Sequence, residues 1–346
     1  VGASRGRGRK LNRASVFLKR ILPLLLTVGL VALLLSQISL AEVIGLLAGI
    51  SFPWLAVGGL CYVATNVCRA FRFAHLLPFR SGRFSTLLAI AFALSMFNNV
   101  LPFRAGEATF VYMMRDQHDM PAGEAAAVLV VARIFDYLAV ATLFVIFALL
   151  SLSHLPGFAL WIVLTVALFL LLTVAVLVAI PWLGQWGLGL LERLMGHRWL
   201  KNQTLSGLIL RACRGAVRAL EAIRSVHTYG LTVLWSLVIW LGTFGWFWAF
   251  LAAVGIRTNM AEVIVGATFA VLSKAIPFVT VGGLGAHEVG WTAGFMLVGF
   301  DKQTAIASGF AVNILTLLAS LLFGGLGLAG LALARRWKQP DGSIPA

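Results

Sequence analysis

The chain has 346 residues, 60% of them hydrophobic and only 11% charged. Soluble domains are about a quarter charged, so this composition excludes an ordinary soluble fold and points to a polytopic membrane protein. The net charge of +15, from 27 Lys and Arg against 12 Asp and Glu, would suggest nucleic acid in a soluble protein. Here the basic residues gather at the ends and between apolar runs, where they set topology and face anionic lipid, so no nucleic-acid partner is expected.

Residues 1–20, with Arg5, Arg7 and Arg9 among seven basic positions, read as a disordered basic arm. The apolar run Ile21 to Leu40 is long enough to cross a bilayer, which takes roughly 20 residues. A cleaved signal peptide is the competing reading, since Ser39-Leu40-Ala41 offers small residues to a peptidase, but arm and run are both long for one. The stretch Phe52 to Ala74 returns inward and ends among Arg69, Arg72, Arg80 and Arg83, which read as a cytoplasmic basic cluster.

Phe84 to about Gln117 is a broken segment. Asn98-Asn99-Val100-Leu101-Pro102-Phe103-Arg104-Ala105-Gly106-Glu107 interrupts it: Pro stops a helix, Gly lets the backbone turn, and a carboxylate suits the start of the next helix. The second arm, Ala105 to Met114, is too short to span, so a re-entrant hairpin is expected. Met120-Pro121 opens the next helix, which runs to about Leu152 and carries Arg133 and Asp136 near its middle. Phe158 to Ile180 is a further apolar span, followed by Trp182, Trp186 and Trp199 where an interfacial aromatic belt would lie.

Residues 183–229 form the long polar stretch. Within it Leu208, Ile209, Ala212 and Ala216 repeat at helical spacing, with Arg211, Arg214 and Arg218 on the other side. This predicts a basic amphipathic helix lying on the inner leaflet or against the transmembrane body. Leu231 to Val254 leads outward to a second broken segment, Met260 to Gly299, and Thr304 to Ala334 crosses back to Arg335-Arg336. A tail over 339–346 reads as disordered.

The second broken segment repeats the first. When Pro102 is set on Pro277, a shift of 175 residues, a small-and-apolar run leads in, Phe follows the Pro, and a Gly-containing link ends in Glu. If each broken segment returns to the side it entered from, every basic cluster and both termini fall in the cytoplasm. The two copies are then inverted in topology. The expected fold is an all-α polytopic membrane protein: an inverted-topology repeat of about six full spans and two re-entrant broken-helix hairpins. Its single transmembrane domain covers 21–338, with repeat one at about 84–152 and repeat two at about 260–334. Discontinuous helices meeting near the midplane are a pattern of secondary transporters.

The Asn98-to-Glu107 run, Arg133-Ile134-Phe135-Asp136, Lys274-Ala275-Ile276-Pro277 and Gly282-Gly283-Leu284-Gly285-Ala286-His287-Glu288 together resemble the transmembrane region of lysylphosphatidylglycerol synthases. This flippase-like family includes the membrane half of the multiple peptide resistance factor. The resemblance covers about residues 20 to 335. It implies a bacterial inner-membrane protein that moves lipids between leaflets: aminoacylated phosphatidylglycerol in the name-giving members, and polyprenyl-phosphate-linked sugars or hopanoids in others. The chain holds no soluble aminoacyl-transferring domain, which leaves the lipid open and gives no reason to expect a synthase.

Charges inside a bilayer cost about 2.5–3.5 kcal/mol each on insertion scales, so they need partners, water or a function. The expected substrate-binding set is Asn98, Asn99, Arg104, Glu107, Arg133, Asp136, Lys274, His287 and Glu288. Arg104, Arg133 and Lys274 would hold a phosphate-bearing headgroup, helped by helix N-termini near Gly106 and Gly285. Glu107, Asp136 and Glu288 would balance them, hold a substrate amine or carry a coupling proton. The structural alternative is internal pairing, such as Arg133 with Asp136 at i, i+3.

A lipid-modifying enzyme is the rival class, and a structural membrane partner the third. His287-Glu288-Val289-Gly290-Trp291 resembles the start of a zinc-protease helix, but Trp291 stands where the second His would be. No nucleophile elbow occurs, so no catalytic residue, metal or cofactor is expected. Cys61, Cys68 and Cys213 form no disulfide framework. The expected partners are membrane lipids, and assembly with further copies of the chain is compatible with this reading.

Overall fold

The computed structural model describes residues 40–77, 84–101, 106–173, 175, 226–274 and 285–338. The expected first span, the amphipathic segment over 183–225, the tryptophans of the interfacial belt and the tail lie outside the described residues. So do Pro102, Pro277 and Arg104.

All regular structure among the described residues is helical. The helices are α1 (Leu40–Ala48), α2 (Phe52–Leu76), α3 (Phe84–Val100), α4 (Gly106–His118), α5 (Ala122–Leu150), α6 (Ala159–Thr173), α7 (Val226–Ala253), α8 (Met260–Ser273), α9 (Ala286–Leu297) and α10 (Lys302–Lys338). Among the described residues four stretches are long and apolar enough to cross a membrane: Phe52–Leu76, Ala122–Leu150, Thr228–Ala253 and Lys302–Leu333. The two arms of each broken segment are short, with 17 and 13 residues in α3 and α4 and 14 and 12 in α8 and α9.

Local chemistry explains where these helices start. Pro53 sits in the first turn of α2 and Pro121 just precedes α5, positions where a missing N–H costs nothing. Asn259 caps α8 by accepting from Glu262 N at 2.9 Å, while Glu262 accepts from Asn259 N at 3.2 Å. Gly285, just before α9, has φ +86°, a conformation open to glycine and strained for a side chain.

The long helices preceding the broken segments form the central pair. Ser51 N donates to Ala253 O at 2.8 Å at one end of α2 and α7, and Arg72 Nη1 donates to Ser236 Oγ at 2.9 Å toward the other. The two therefore run antiparallel along most of their length. Gly58 lies under the Phe250 ring and Gly242 against Thr65, so missing side chains let the pair approach closely.

The two arms of each broken segment pack against each other. Helices α8 and α9 pack antiparallel and so closely that a Cβ at Gly294 would meet the Gly266 carbonyl and one at Gly290 the Phe269 carbonyl. Helix α4 packs against α3, with Gly106 against Asn98. The halves also exchange contacts: α3 lies on α10, with Gly324 against Met96, and α8 lies on α5, with the Phe144 and Phe269 rings 5.9 Å apart.

Two apolar clusters fill these contacts. One joins α2, α3, α4 and α5 around Phe73, Ile90, Phe110 and Met114, and the other joins α7, α8, α9 and α10 around Phe250, Ile264, Trp291 and Phe295. Leu60, Leu150, Trp161, Phe169 and Leu322 face outward and are exposed, while Arg72, Asp136 and Glu288 are buried. Apolar outside and ionic inside is what a hydrocarbon solvent demands.

Candidate functional site

A cavity of about 190 Å3 lies among α2, α3, α5, α7, the end of α8, the start of α9 and α10. On α2 the residues Tyr62, Arg69 and Arg72 line it, with Asn66 on the same face beneath Arg69. Spacings of three and four put them on one stripe of the helix.

Arg72 is 1% exposed and donates to both Asp136 carboxylate oxygens, Nη1 to Oδ1 at 2.5 Å and Nη2 to Oδ2 at 3.3 Å. Trp240 Nε1 donates to the same Oδ1 at 3.0 Å, and Arg133 Nη1 stands 3.6 Å from Oδ2. With three donors and a further cation around it, this carboxylate is a saturated counter-ion. Arg133 turns its Nε to Glu107 Oε1 of α4 at 3.0 Å, and here both side chains stay partly exposed, at 26% and 32%. An ionic chain Glu107, Arg133, Asp136, Arg72 thus links α4, α5 and α2, and Ser236 extends it to α7.

A second polar cluster belongs to the other broken segment. Glu288 is fully buried; its Oε2 accepts from Gly285 N at 2.6 Å and its Oε1 from Asn313 Nδ2 at 2.6 Å. Asn313 Oδ1 in turn accepts from Lys274 Nζ at 3.4 Å. Asn313 therefore bridges the cation at the end of α8 to the carboxylate in the first turn of α9. His287 is also buried, beside the Trp291 ring at 5.4 Å and the Phe247 ring at 6.2 Å, and its ring nitrogens have no partner among the described residues.

Of the residues expected from the sequence, Asn98, Asn99, Arg133, Asp136 and Lys274 line the cavity. Glu107 and Glu288 do not; each stands one step behind, Glu107 on Arg133 and Glu288 on Lys274 through Asn313. His287 packs into an aromatic cluster instead of the cavity wall. Arg104 lies outside the described residues.

Two expectations are corrected by the geometry, and a third, the i, i+3 pair of Arg133 with Asp136, is present at 3.6 Å. Arg69 and Arg72 do not extend a loop cluster of topology-setting charges; they point into the helix bundle, because Asp136 supplies a counter-ion for Arg72 and Asn66 and Ser95 supply acceptors for Arg69. The i, i+3 partner that Asp136 has in Arg133 is its more distant one, since Arg72 comes closer from another helix. The N-terminus of α9 does not offer its first N–H to a phosphate, because the Glu288 carboxylate already occupies it.

Tyr62, Arg69, Arg72, Ser95, Trp240 and Trp246 are among the cavity residues that sequence reading overlooks. The signal was present for α2: Asn66, Arg69 and Arg72 are polar at strict three-residue spacing inside an apolar span, which marks an inward stripe. The tryptophans have a fainter mark: Thr232, Ser236 and Thr243, all buried, lie at helical spacing with Trp240 and Trp246 on one stripe of α7.

Among the described residues four cations, Arg69, Arg72, Arg133 and Lys274, and one carboxylate, Asp136, line the cavity and give it a positive local potential. Low dielectric and fixed dipoles strengthen each contact there relative to water. No curated protein and no solved structure matches the chain. The chain does match the family described as the lysylphosphatidylglycerol synthase transmembrane region over residues 20–324; it belongs to that family and is a membrane protein with a lipid-related function.

Proposed function

We propose that the protein moves a phosphate-bearing anionic lipid between leaflets without changing it chemically. The lipid class is phosphatidylglycerol-like, plain or aminoacylated, or polyprenyl-phosphate-like. One observation carries the reading: a cation-rich cavity lies inside the helix bundle, walled by the long α2, α5 and α7 and by the ends of the short α3 and α8. A headgroup changing leaflets faces the same cost as a buried ion. Fixed guanidinium groups that replace its water lower that barrier, while the acyl tails stay in the bilayer.

In this reading the two broken segments are inverted repeats and each hairpin is re-entrant. The antiparallel α2 and α7 pair supports that view, as does the exchange in which α3 packs on α10 and α8 on α5. Both termini face the cytoplasm of a bacterial inner membrane, as the positive-inside rule asks. Lipids are the partners, and no cofactor is used.

The test is purified protein in liposomes with a headgroup-labelled phosphatidylglycerol. Redistribution of unchanged lipid between leaflets is the expected result. A new chemical species would replace transport with catalysis, and a static label would end the transport reading. Single-Cys probes at His154 and Arg257 should label from outside and one at Lys338 should not.

A further inference from the structure

This inference rests on the transport reading for its setting and deepens it by naming the group that seats the anion. Three of the four cavity cations are already engaged. Arg72 is held by Asp136, Arg133 by Glu107 with Asp136 behind it, and Lys274 is tied through Asn313 to Glu288.

Arg69 is held differently. Its Nη1 donates to Asn66 Oδ1 at 2.9 Å and to Ser95 Oγ at 2.5 Å, both neutral acceptors. Ser95 Oγ donates to the same Asn66 Oδ1 at 2.6 Å, and Asn66 Nδ2 is fixed by Tyr62 O at 2.9 Å. This clamp grips one nitrogen of the guanidinium. Among the described residues no carboxylate lies within ion-pair distance of Arg69, and its Nε and Nη2 donate to none of them, although the side chain lines the cavity. Those two nitrogens form the side of the fork that takes two oxygens of one phosphate or carboxylate.

Three more donors in the same wall have no acceptor among the described residues: Tyr62 Oη, Trp246 Nε1 and Arg72 Nε, all buried. Buried donors without acceptors are costly, and a guanidinium held only by neutral groups more so. A site that keeps such a set receives its acceptor from outside. We infer that Arg69 is the primary seat for a phosphate group in the cavity, with Trp246 as a second donor, and that Arg133 is a secondary contact that must first loosen from Glu107.

The chemistry fits a phospholipid headgroup and free inorganic phosphate alike. The experiment therefore places full-length protein in phosphatidylcholine nanodiscs and measures binding of headgroup-labelled phosphatidylglycerol, with inorganic phosphate titrated alone and as a competitor. Arg69→Gln should weaken phosphatidylglycerol binding on the order of tenfold or more, as expected for losing a charge-assisted pair of bonds. Arg69→Lys keeps the charge but loses the fork, and Trp246→Phe loses one donor; each should weaken binding about threefold. Displacement of the label by inorganic phosphate extends the seat to phosphate in general; binding that resists it assigns the seat to the lipid headgroup.

Wild-type affinity in a folded Arg69→Gln protein overturns the inference. If that variant does not fold, unchanged affinity in both Arg69→Lys and Trp246→Phe overturns it. Leaflet redistribution in liposomes separates the two proposals. A wild-type protein that moves no lipid but binds in an Arg69-dependent way ends the transport reading and keeps the seat. One that moves lipid equally well without Arg69 does the reverse.

Discussion

Around α3 and α4, charges are paired with charges, and the outermost pair, Arg133 with Glu107, remains about a quarter to a third exposed. Around α8 and α9 the carboxylate of Glu288 is fully buried and reaches its cation only through the neutral amide of Asn313. The backbones differ as well. Helices α8 and α9 meet through Gly266, Gly290 and Gly294 with no room for a methyl group, whereas the closest glycine contact of α3 and α4 is the single Gly106 on Asn98. The arms α8 and α9 are thus the more tightly packed and carry Lys274 to the cavity, whereas α3 and α4 stand beside the partly exposed pair of Arg133 with Glu107.

The largest expected effect comes from breaking the ionic centre that both halves share. Asp136→Ala leaves Arg72 buried without its counter-ion and should destabilise the protein by about 3–5 kcal/mol. Thermal unfolding in detergent would read this. Replacing both Arg72 and Asp136 with apolar residues should cost less than the single change, because no unpaired charge remains. Equal losses would show that the pair is not the reason for the effect.

Gly294→Ala sharpens the packing side of the comparison. The new methyl group would strike the Gly266 backbone carbonyl, which cannot rotate away, so a loss of about 1–3 kcal/mol or a failure to fold is expected. Gly123→Ala, with nothing within 4 Å of its new Cβ, is the control and should be neutral or slightly stabilising within a helix. If both variants behave alike, α8 and α9 are not the rigid half.

Glu107→Gln tests the accessible half and should hardly alter stability, within about 1 kcal/mol, because the pair is partly exposed. Its effect belongs in function: Arg133 is released, and binding of an anionic headgroup should tighten. Binding unchanged or weaker would place Glu107 in contact with the substrate.

The smallest effect is at Asp301, in the exposed turn between α9 and α10. Its Oδ1 accepts from Thr304 N at 2.9 Å, and these hydrogen bonds hold its carboxyl below the ordinary value of 3.8. A lowered folded-state value means that the contribution is present above the ordinary value and lost as pH falls through the lowered one. Asp301→Asn should therefore match wild type in the most acidic range and fall slightly below it near neutrality. A difference that grows with acidity would contradict the cap.

Much of this architecture was legible from residue order. Four long apolar helices, two broken segments with Pro, Gly and Glu at the break, and inward charges at Arg133, Asp136 and Lys274 all follow from the cost of polar groups in hydrocarbon, which is local and read residue by residue. The family, too, could be seen in the motifs around Asn98 and Lys274. Partner choice was not legible. Whether Asp136 answers to Arg133 three residues away or to Arg72 of another helix depends on how α2 crosses α5, and Trp240 joins them only because α7 packs beside both. Arg69 and Arg72 share with Asn66 a three-residue spacing that marks an inward stripe, but packing decided that Arg69 meets Ser95 of α3 and Arg72 meets Asp136 of α5. The sequence determined which groups the bilayer would not tolerate outside. Tertiary packing decided which of them neutralise one another, because electrostatic pairing at a few ångströms is set by helix crossings that no local pattern encodes.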